Sequence, residues 1–536
     1  MDRTKYVTVI VNGSTQGSLK PSGVQIMPER DFSFRHWKAT MERITCPLYT
    51  NSVRYPHHIA FYDSIHSVSF QEAEIRILRM ARWLSMLGTK GGDRIGVLSQ
   101  NSIDYAIGVY AISRIGASLV PLNLRLTEKD WKQQVELCRC GMILSDKNHY
   151  DRARSLGLPA YMFEDGFQTS ANSKAEKVEG LISKKIILAK EASVIFTSGS
   201  KGIPKGVILS NGNYYYNALA SNLNVKLAAG DCWLLALPLY HVGGISILHR
   251  CALAGASVYI THGFNGEEVN GLIEASRISH LSLVPTMVQR LMESAGNKPT
   301  PGTVKVILVG GAPVPENMVE KIRQYRLPVL TTYGMTESAS QITTMSPHDP
   351  AEKLSTSGKP LKYVQLRIVD SDGKDLPPSA QGEIMVKGKT LFKGYLNRNV
   401  RRKRHDDRWF VTGDKGYLDS DGYLTVTGRI DDMFVSGGEN IYLGEIEVEA
   451  ASYPDIGVCA VLAVDDREWG KRPVLFVEPR QTVNFNEQDM AAYLKTRLPR
   501  IKIPDKIIPL NRLPRTAIGK IDYTALRHLY QKRYCS

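Results

Sequence analysis

The chain has 536 residues, 43% hydrophobic and 23% charged, with a formal net charge of +15. That length is too great for one ordinary core and predicts roughly two to four domains, and the balance excludes disordered, collagen-like and membrane-spanning classes. The excess of 68 Lys+Arg over 53 Asp+Glu suits polyanionic ligands. Seven scattered cysteines, of which only Cys138 and Cys140 are close, predict neither a disulfide framework nor a zinc site.

Residues 1–30 fit none of the patterns that follow, although 6–11 have strand character. From Ala60 the chain alternates between helical and extended periodicity. A helix is predicted over 70–87, a strand over 94–98, a helix over 102–115 capped by Ser102, and strands over 117–120 and 142–146. Such alternation implies parallel sheets with crossover helices. Strands at 192–196 and 207–209 flank a loop rich in glycine and hydroxyl groups. The apolar stretch 233–248 is short for a membrane span, contains His241 and two glycines, and reads as a strand and then a helix. Strands at 280–284 and 304–309 repeat the αβ rhythm. From about Leu361 short strands at 365–369, 382–386 and 422–426 alternate with Asp-Gly turns and predict a β-rich subdomain. The basic run from Arg398 to Arg404 reads as a solvated turn rather than a nucleic-acid arm. No signal-peptide pattern opens the chain, so a cytoplasmic setting without a transmembrane segment is expected.

Three separated segments carry the chemistry. The first is Thr197-Ser198-Gly199-Ser200-Lys201-Gly202-Ile203-Pro204-Lys205-Gly206. Its small residues let backbone N–H groups converge on an anion, and its hydroxyls add donors. It is not a P-loop, because Lys205 is followed by glycine instead of the Ser or Thr that holds magnesium. The second is Tyr333-Gly334-Met335-Thr336-Glu337, with a carboxylate that could hold magnesium. The third is Pro514-Arg515-Thr516-Ala517-Ile518-Gly519-Lys520, with a distant lysine. Polyphosphate binder, metal carboxylate and lysine together can activate a carboxylic acid with ATP.

With Pro238-Leu239-Tyr240-His241, Gly310-Gly311-Ala312-Pro313, Thr412-Gly413-Asp414 and Gly428-Arg429-Ile430-Asp431-Asp432 in the same order, the chain resembles the acyl-adenylating superfamily from about Leu48 onward. That superfamily comprises acyl-CoA ligases, adenylation domains of peptide synthetases and luciferases. The resemblance implies an α/β fold: a large N-terminal domain of parallel-sheet αβ subdomains over 31–430, including the β-rich part at 361–430, and a small mobile α+β C-terminal domain over 431–536. Residues 1–30 are an extension without an assigned role. The implied reaction runs in two steps, acyl-adenylate plus pyrophosphate and then thioester plus AMP. ATP, Mg2+ and coenzyme A are the implied cofactor and co-substrates, and the partner is a small carboxylic acid rather than nucleic acid. A homo-oligomer and a non-catalytic nucleotide binder stay open.

Residue by residue, the resemblance implies that Thr197, Ser198, Gly199, Ser200, Lys201, Gly202 and Lys205 hold the β- and γ-phosphates. Thr336 would contact the α-phosphate and Glu337 the metal, although a carboxylate at a helix start is also stabilised there by the dipole. Gly310, Gly311, Ala312 and Pro313 would wall the adenine, Tyr333 would stack on it beside Gly334, and Asp414 would accept both ribose hydroxyls next to Arg429. Lys520 would bridge the acid carboxylate and the α-phosphate. Asp431 would be the hinge, and Gly437 and Gly438 would line the coenzyme A channel.

The stretch Leu237 to Arg250, together with Gly334-Met335-Thr336-Glu337-Ser338-Ala339-Ser340-Gln341, resembles o-succinylbenzoate–CoA ligases. That substrate keeps one carboxylate charged, so its pocket needs a buried cation. The resemblance puts Arg250 in that role, with Ser340 and Gln341 adding polar contacts and His241 beside the acid. A structural ion pair at a helix end is the competing reading of Arg250. Lys201 in place of the family's threonine, which exchanges a hydroxyl donor for a cation, and Leu443-Gly444 in place of its proline are local departures, and the N-terminal extension keeps another aryl- or medium-chain acyl-CoA ligase in view.

Overall fold

The computed structural model describes residues 42–168, 182–197, 205–296, 300–396, 409–430, 433–436, 439–466, 469–480, 485–516 and 519–534. The expectations for 1–30, 6–11, Ser198 to Gly202, Arg398 to Arg404, Asp431, Gly437 and Gly438 lie outside these residues. Arg43–Ser536 form one compact unit.

The first sheet has seven strands, with Arg94–Leu98, Ser118–Pro121, Met142–Ser145 and Ala160–Met162 running parallel at one side. The strands at 118–121 and 142–145 are buried along their whole length because helices cover both faces. Ser102 caps the helix Ile103–Arg114 by accepting a hydrogen bond from Tyr105 N–H at 3.0 Å. At the other side Glu191–Thr197 and Lys205–Ser210 form an antiparallel pair that sets Lys205 opposite Thr197. Gly394–Tyr395 then adds the edge strand.

The second sheet has nine strands. Its parallel interior runs Val329–Met335, Val306–Val309, His280–Leu283, Cys232–Leu235, Ser257–Ile260 and Ile59–Tyr62. Ser340–Thr344 returns antiparallel along Val329–Met335 with a register shift at Tyr333/Gly334. A four-stranded antiparallel sheet follows, of Val364–Val369, Gly382–Gly388, Phe410–Leu418 and Leu424–Arg429.

Beyond residue 433 the chain builds a smaller lobe around Ile456–Asp466, Gly470–Pro479 and Lys506–Pro509. Side chains alternate along these strands. Val461, Leu475, Val477 and Ile507 pack on one face with Ile446, Met490 and Leu494. Leu462, Val474, Phe476 and Ile508 pack on the other with Leu513, Leu526 and Tyr530. The two-residue period thus gives the lobe two cores of its own. Among the described residues no helix is long and apolar enough to cross a membrane.

Candidate active site

One end of the site is assembled where strands of two sheets meet. Val306–Val309 runs into Gly310 and Gly311. Gly311 has φ +88, and a Cβ there would stand 3.4 Å from Lys520 Cε, so glycine serves both the turn and the approach of the lysine. Ala312 and Pro313 follow on the surface. Tyr333 donates its hydroxyl proton to Asp414 Oδ2 at 2.5 Å. Burial first, and the Asp414 charge second, push the Tyr333 hydroxyl well above its usual range, so it stays protonated and donates. Asp414 and Arg429 face each other across paired strands, with Arg429 Nε 3.9 Å from Asp414 Oδ1.

A second group lies where Lys205 pairs opposite Thr197. Lys205 Nζ lies 5.9 Å from the centre of the Tyr395 ring. The Tyr395 hydroxyl donates to Glu337 Oε1 at 2.8 Å, and Glu337 O accepts from Phe392 N–H at 2.8 Å. Cation, ring and carboxylate therefore form one connected group. Sequence reasoning missed Tyr395. It lies 58 residues from Glu337, and only the edge-strand pairing brings the two together.

Thr336 and Glu337 sit in a three-residue 3-10 turn, Thr336–Ser338, rather than at the start of a helix. A helix dipole therefore contributes nothing to Glu337. The corner is fixed instead by close packing. A Cβ on Gly334 would lie 1.7 Å from Ser340 O, and Asn217 Nδ2 donates to Ser338 O at 3.1 Å and Gln341 O at 2.8 Å. Asn217, on the helix Asn211–Val225, gave no signal in the sequence.

His241 precedes the helix Val242–Ala254, which carries Arg250. His241 Nε2 is buried without a hydrogen-bond partner. Burial, helped by the charges of Lys520 and Arg125, pushes its imidazole down to about 4, so it is neutral at physiological pH. Arg250 is only 1% exposed. One guanidinium nitrogen donates to Ser340 Oγ at 3.0 Å, the group lies 5.4 Å from the centre of the Trp233 ring, and Nε has no partner. Among the described residues no carboxylate pairs with Arg250, which removes the ion-pair reading. Gln341 is also buried, its amide nitrogen donating to Thr344 Oγ1 at 2.7 Å.

Lys520 enters from the smaller lobe on a tight turn. Thr516 N–H donates to Lys520 O at 2.6 Å, and Gly519 N–H donates to Thr516 O at 2.9 Å. Arg515 pairs with Glu478 at 2.8 Å. The ammonium keeps open surface although protein crowds round it, as in a cleft. Burial lowers its pKa, opposed by Asp414 and reinforced by Arg429. Lys520, Gly311, Asp414, Arg429 and His241 thus act on one another within a single site, and Arg250 and Gln341 are sealed beside it.

Residues 48–396 match the family described as AMP-binding enzyme, and residues 445–520 match the AMP-binding enzyme C-terminal domain. The 2-succinylbenzoate–CoA ligase of Bacillus licheniformis is 35% identical over 87% of this chain and 96% of its own length. The o-succinylbenzoate CoA synthetase of Bacillus subtilis in complex with its acyl-adenylate intermediate is similar at TM-score 0.83 and 33% identity, over 91% of this chain and 98% of that one. Its complex with ATP and magnesium gives TM-score 0.82 and 33% identity over 91% and 100% of the two chains. An ordered motif set, a lysine brought in by a second lobe and these relatives agree, and the chain belongs to the AMP-binding enzyme family.

Proposed function

We propose that this protein is an ATP-dependent 2-succinylbenzoate–CoA ligase. In the first step a substrate carboxylate oxygen bonds to the α-phosphorus of ATP, the bond from that phosphorus to the bridging oxygen breaks, and pyrophosphate leaves. In the second the sulfur of coenzyme A bonds to the acyl carbon, the thiol proton is lost, and AMP leaves.

Two anions must meet in the first step, so fixed cations carry it. Lys205 would hold the terminal phosphates, and Lys520 the α-phosphate with the incoming carboxylate. Asp414, held by Tyr333 and near Arg429, would accept the ribose hydroxyls. Magnesium fits this site: Tyr395 occupies only one oxygen of Glu337, and one carboxylate with phosphate oxygens and water is a usual magnesium set. When bound, the metal neutralises phosphate charge. Neutral His241, with a free ring nitrogen, is suited to hydrogen-bond the acyl oxygen rather than to remove a proton.

The observation that carries the choice of acid is Arg250, a buried cation without a carboxylate partner beside Ser340. A diacid that keeps one carboxylate after activation supplies that partner. A fatty acid or a plain benzoate does not. A cytoplasmic setting agrees with the use of ATP and coenzyme A. The test is coenzyme-A-dependent AMP release, screened over 2-succinylbenzoate, benzoates, cinnamates and medium-chain fatty acids. Preference for 2-succinylbenzoate is expected. Equal or better turnover of monoacids would reject the assignment of the acid, and absence of AMP with every acid would reject the ligase.

A further inference from the structure

Arg125 stands outside every motif of the family resemblance, yet it touches the turn that carries Lys520. Its Nη1 donates to Thr516 O at 3.0 Å, across 391 residues of chain. Thr516 O also accepts from Gly519 N–H, and Thr516 N–H donates to Lys520 O. The guanidinium therefore binds the atom on which the lysine turn closes.

The mounting of Arg125 is firm at both ends. It follows the parallel strand Ser118–Pro121 and precedes the helix Glu128–Cys138, at the carboxyl end of the strands where α/β sheets bind their ligands. Its own N–H donates to Asn123 Oδ1 at 3.0 Å, and neighbouring Leu124 and Leu126 pack into the apolar core beneath. On the far side the turn is tied to its own lobe by Arg515–Glu478 at 2.8 Å. Arg125 and Lys520 also both act on His241, so the contact borders the acid site.

We propose that Arg125 is a positioning residue, a latch that holds the Lys520 turn in the adenylate-forming pose and lets go before thioester formation. The proposal rests on the two-step ligase reading, in which Lys520 serves only the first step. A side chain that stays partly solvated makes a bond that is broken cheaply, as a latch requires.

Two half-reactions separate the latch from its rivals: acid-dependent exchange of pyrophosphate into ATP, and thioester formation from supplied acyl-adenylate and coenzyme A. They are measured in wild type, Arg125→Ala, Arg125→Lys, Lys520→Ala and the double variant Arg125→Ala/Lys520→Ala. Exchange should fall roughly two- to tenfold in Arg125→Ala, the range one hydrogen bond of a solvated guanidinium supports. Arg125→Lys should restore most of it, since a carbonyl accepts from either cation. Thioester formation should be unchanged or faster. In the Lys520→Ala background, read on the small residual exchange that this variant retains, Arg125→Ala should cost nothing further, because the latch acts only through the lysine. An additive loss there, equal losses in both half-reactions, or no loss of exchange would overturn the latch. Absence of exchange in wild type would instead overturn the ligase reading beneath it.

Discussion

Replacing Arg250 with methionine should make the protein no less stable while destroying its preference for a diacid. Burial pulls the Arg250 guanidinium well below its usual range, to about 10, a desolvation cost of about 3 kcal/mol that no carboxylate among the described residues offsets. Methionine keeps an apolar stem of similar reach and removes that cost, giving up the guanidinium's contact with the Trp233 ring. It gives up the bond to Ser340 Oγ, which contributes about 1 kcal/mol. Folded stability should therefore hold or rise by up to about 2 kcal/mol, read as an unchanged or higher thermal midpoint. Activity should move the other way. A substrate carboxylate brought against an apolar wall loses about 3–5 kcal/mol, so kcat/KM for 2-succinylbenzoate should fall by roughly 10²- to 10⁴-fold. Benzoylpropionate lacks the ring carboxylate and should be turned over as well as before or better. The assay is AMP release with each acid, beside a thermal melt of each protein. A lowered midpoint with equal losses on both acids would show that Arg250 only supports the fold, and the reasoning would fail.

Lys520→Ala should cut adenylate formation about 10²- to 10³-fold, to a small residual rate, and leave thioester formation from supplied adenylate largely intact; equal loss of both would remove its assigned role. Tyr395→Phe deletes one hydrogen bond to a charged carboxylate, about 1.5–3 kcal/mol, and should raise the magnesium needed for half-maximal exchange about tenfold or more without changing the KM for the acid. An unmoved magnesium titration would speak against it. His280 is 0% exposed and burial pushes it down to about 4 from 6.5. The unfolded chain then binds the proton first, so this contribution is full above pH 6.5 and is lost as pH falls toward 4. It amounts to about 3 kcal/mol at neutral pH. Chemical unfolding at several pH values should show a shallower acid loss in His280→Gln, and identical slopes would refute the assignment.

Local chemistry was readable where it was written locally. Ser102 capped its helix as its spelling predicted, and the strand and helix of 233–248 appeared as Cys232–Leu235 and Val242–Ala254 because apolar period and length agreed. Glu337 was placed at a helix start because nothing in its neighbours distinguishes a single 3-10 turn from a first helical turn. The reason lies in Gly334 and Ser340, whose close approach depends on a strand returning antiparallel. Tyr395, Asn217 and Arg125 escaped notice for a related reason. Each is an ordinary residue whose partner lies between 58 and 391 positions away, and only sheet order and lobe placement bring them together. The burial of Arg250 was anticipated from the needs of a ligand, whereas its lack of a protein carboxylate could be seen only in the folded chain.

The smaller lobe hides its apolar residues on both sides of its own sheet. A body built in this way loses little burial when it turns. Its contacts with the larger body include the bond of Arg125 to Thr516 and the groove where Met292 and Met318 border Ile456 and Gly457. A turn of the smaller body would then leave both of its own cores intact. On the proposed two-step reading, occupancy of the cleft, first by nucleotide and then by adenylate, would set the timing of the cycle. The same independence makes the lobe transplantable: residues 433–534 grafted onto a related large domain should bring along their lysine and their fold, and would need only a new latch to be heard.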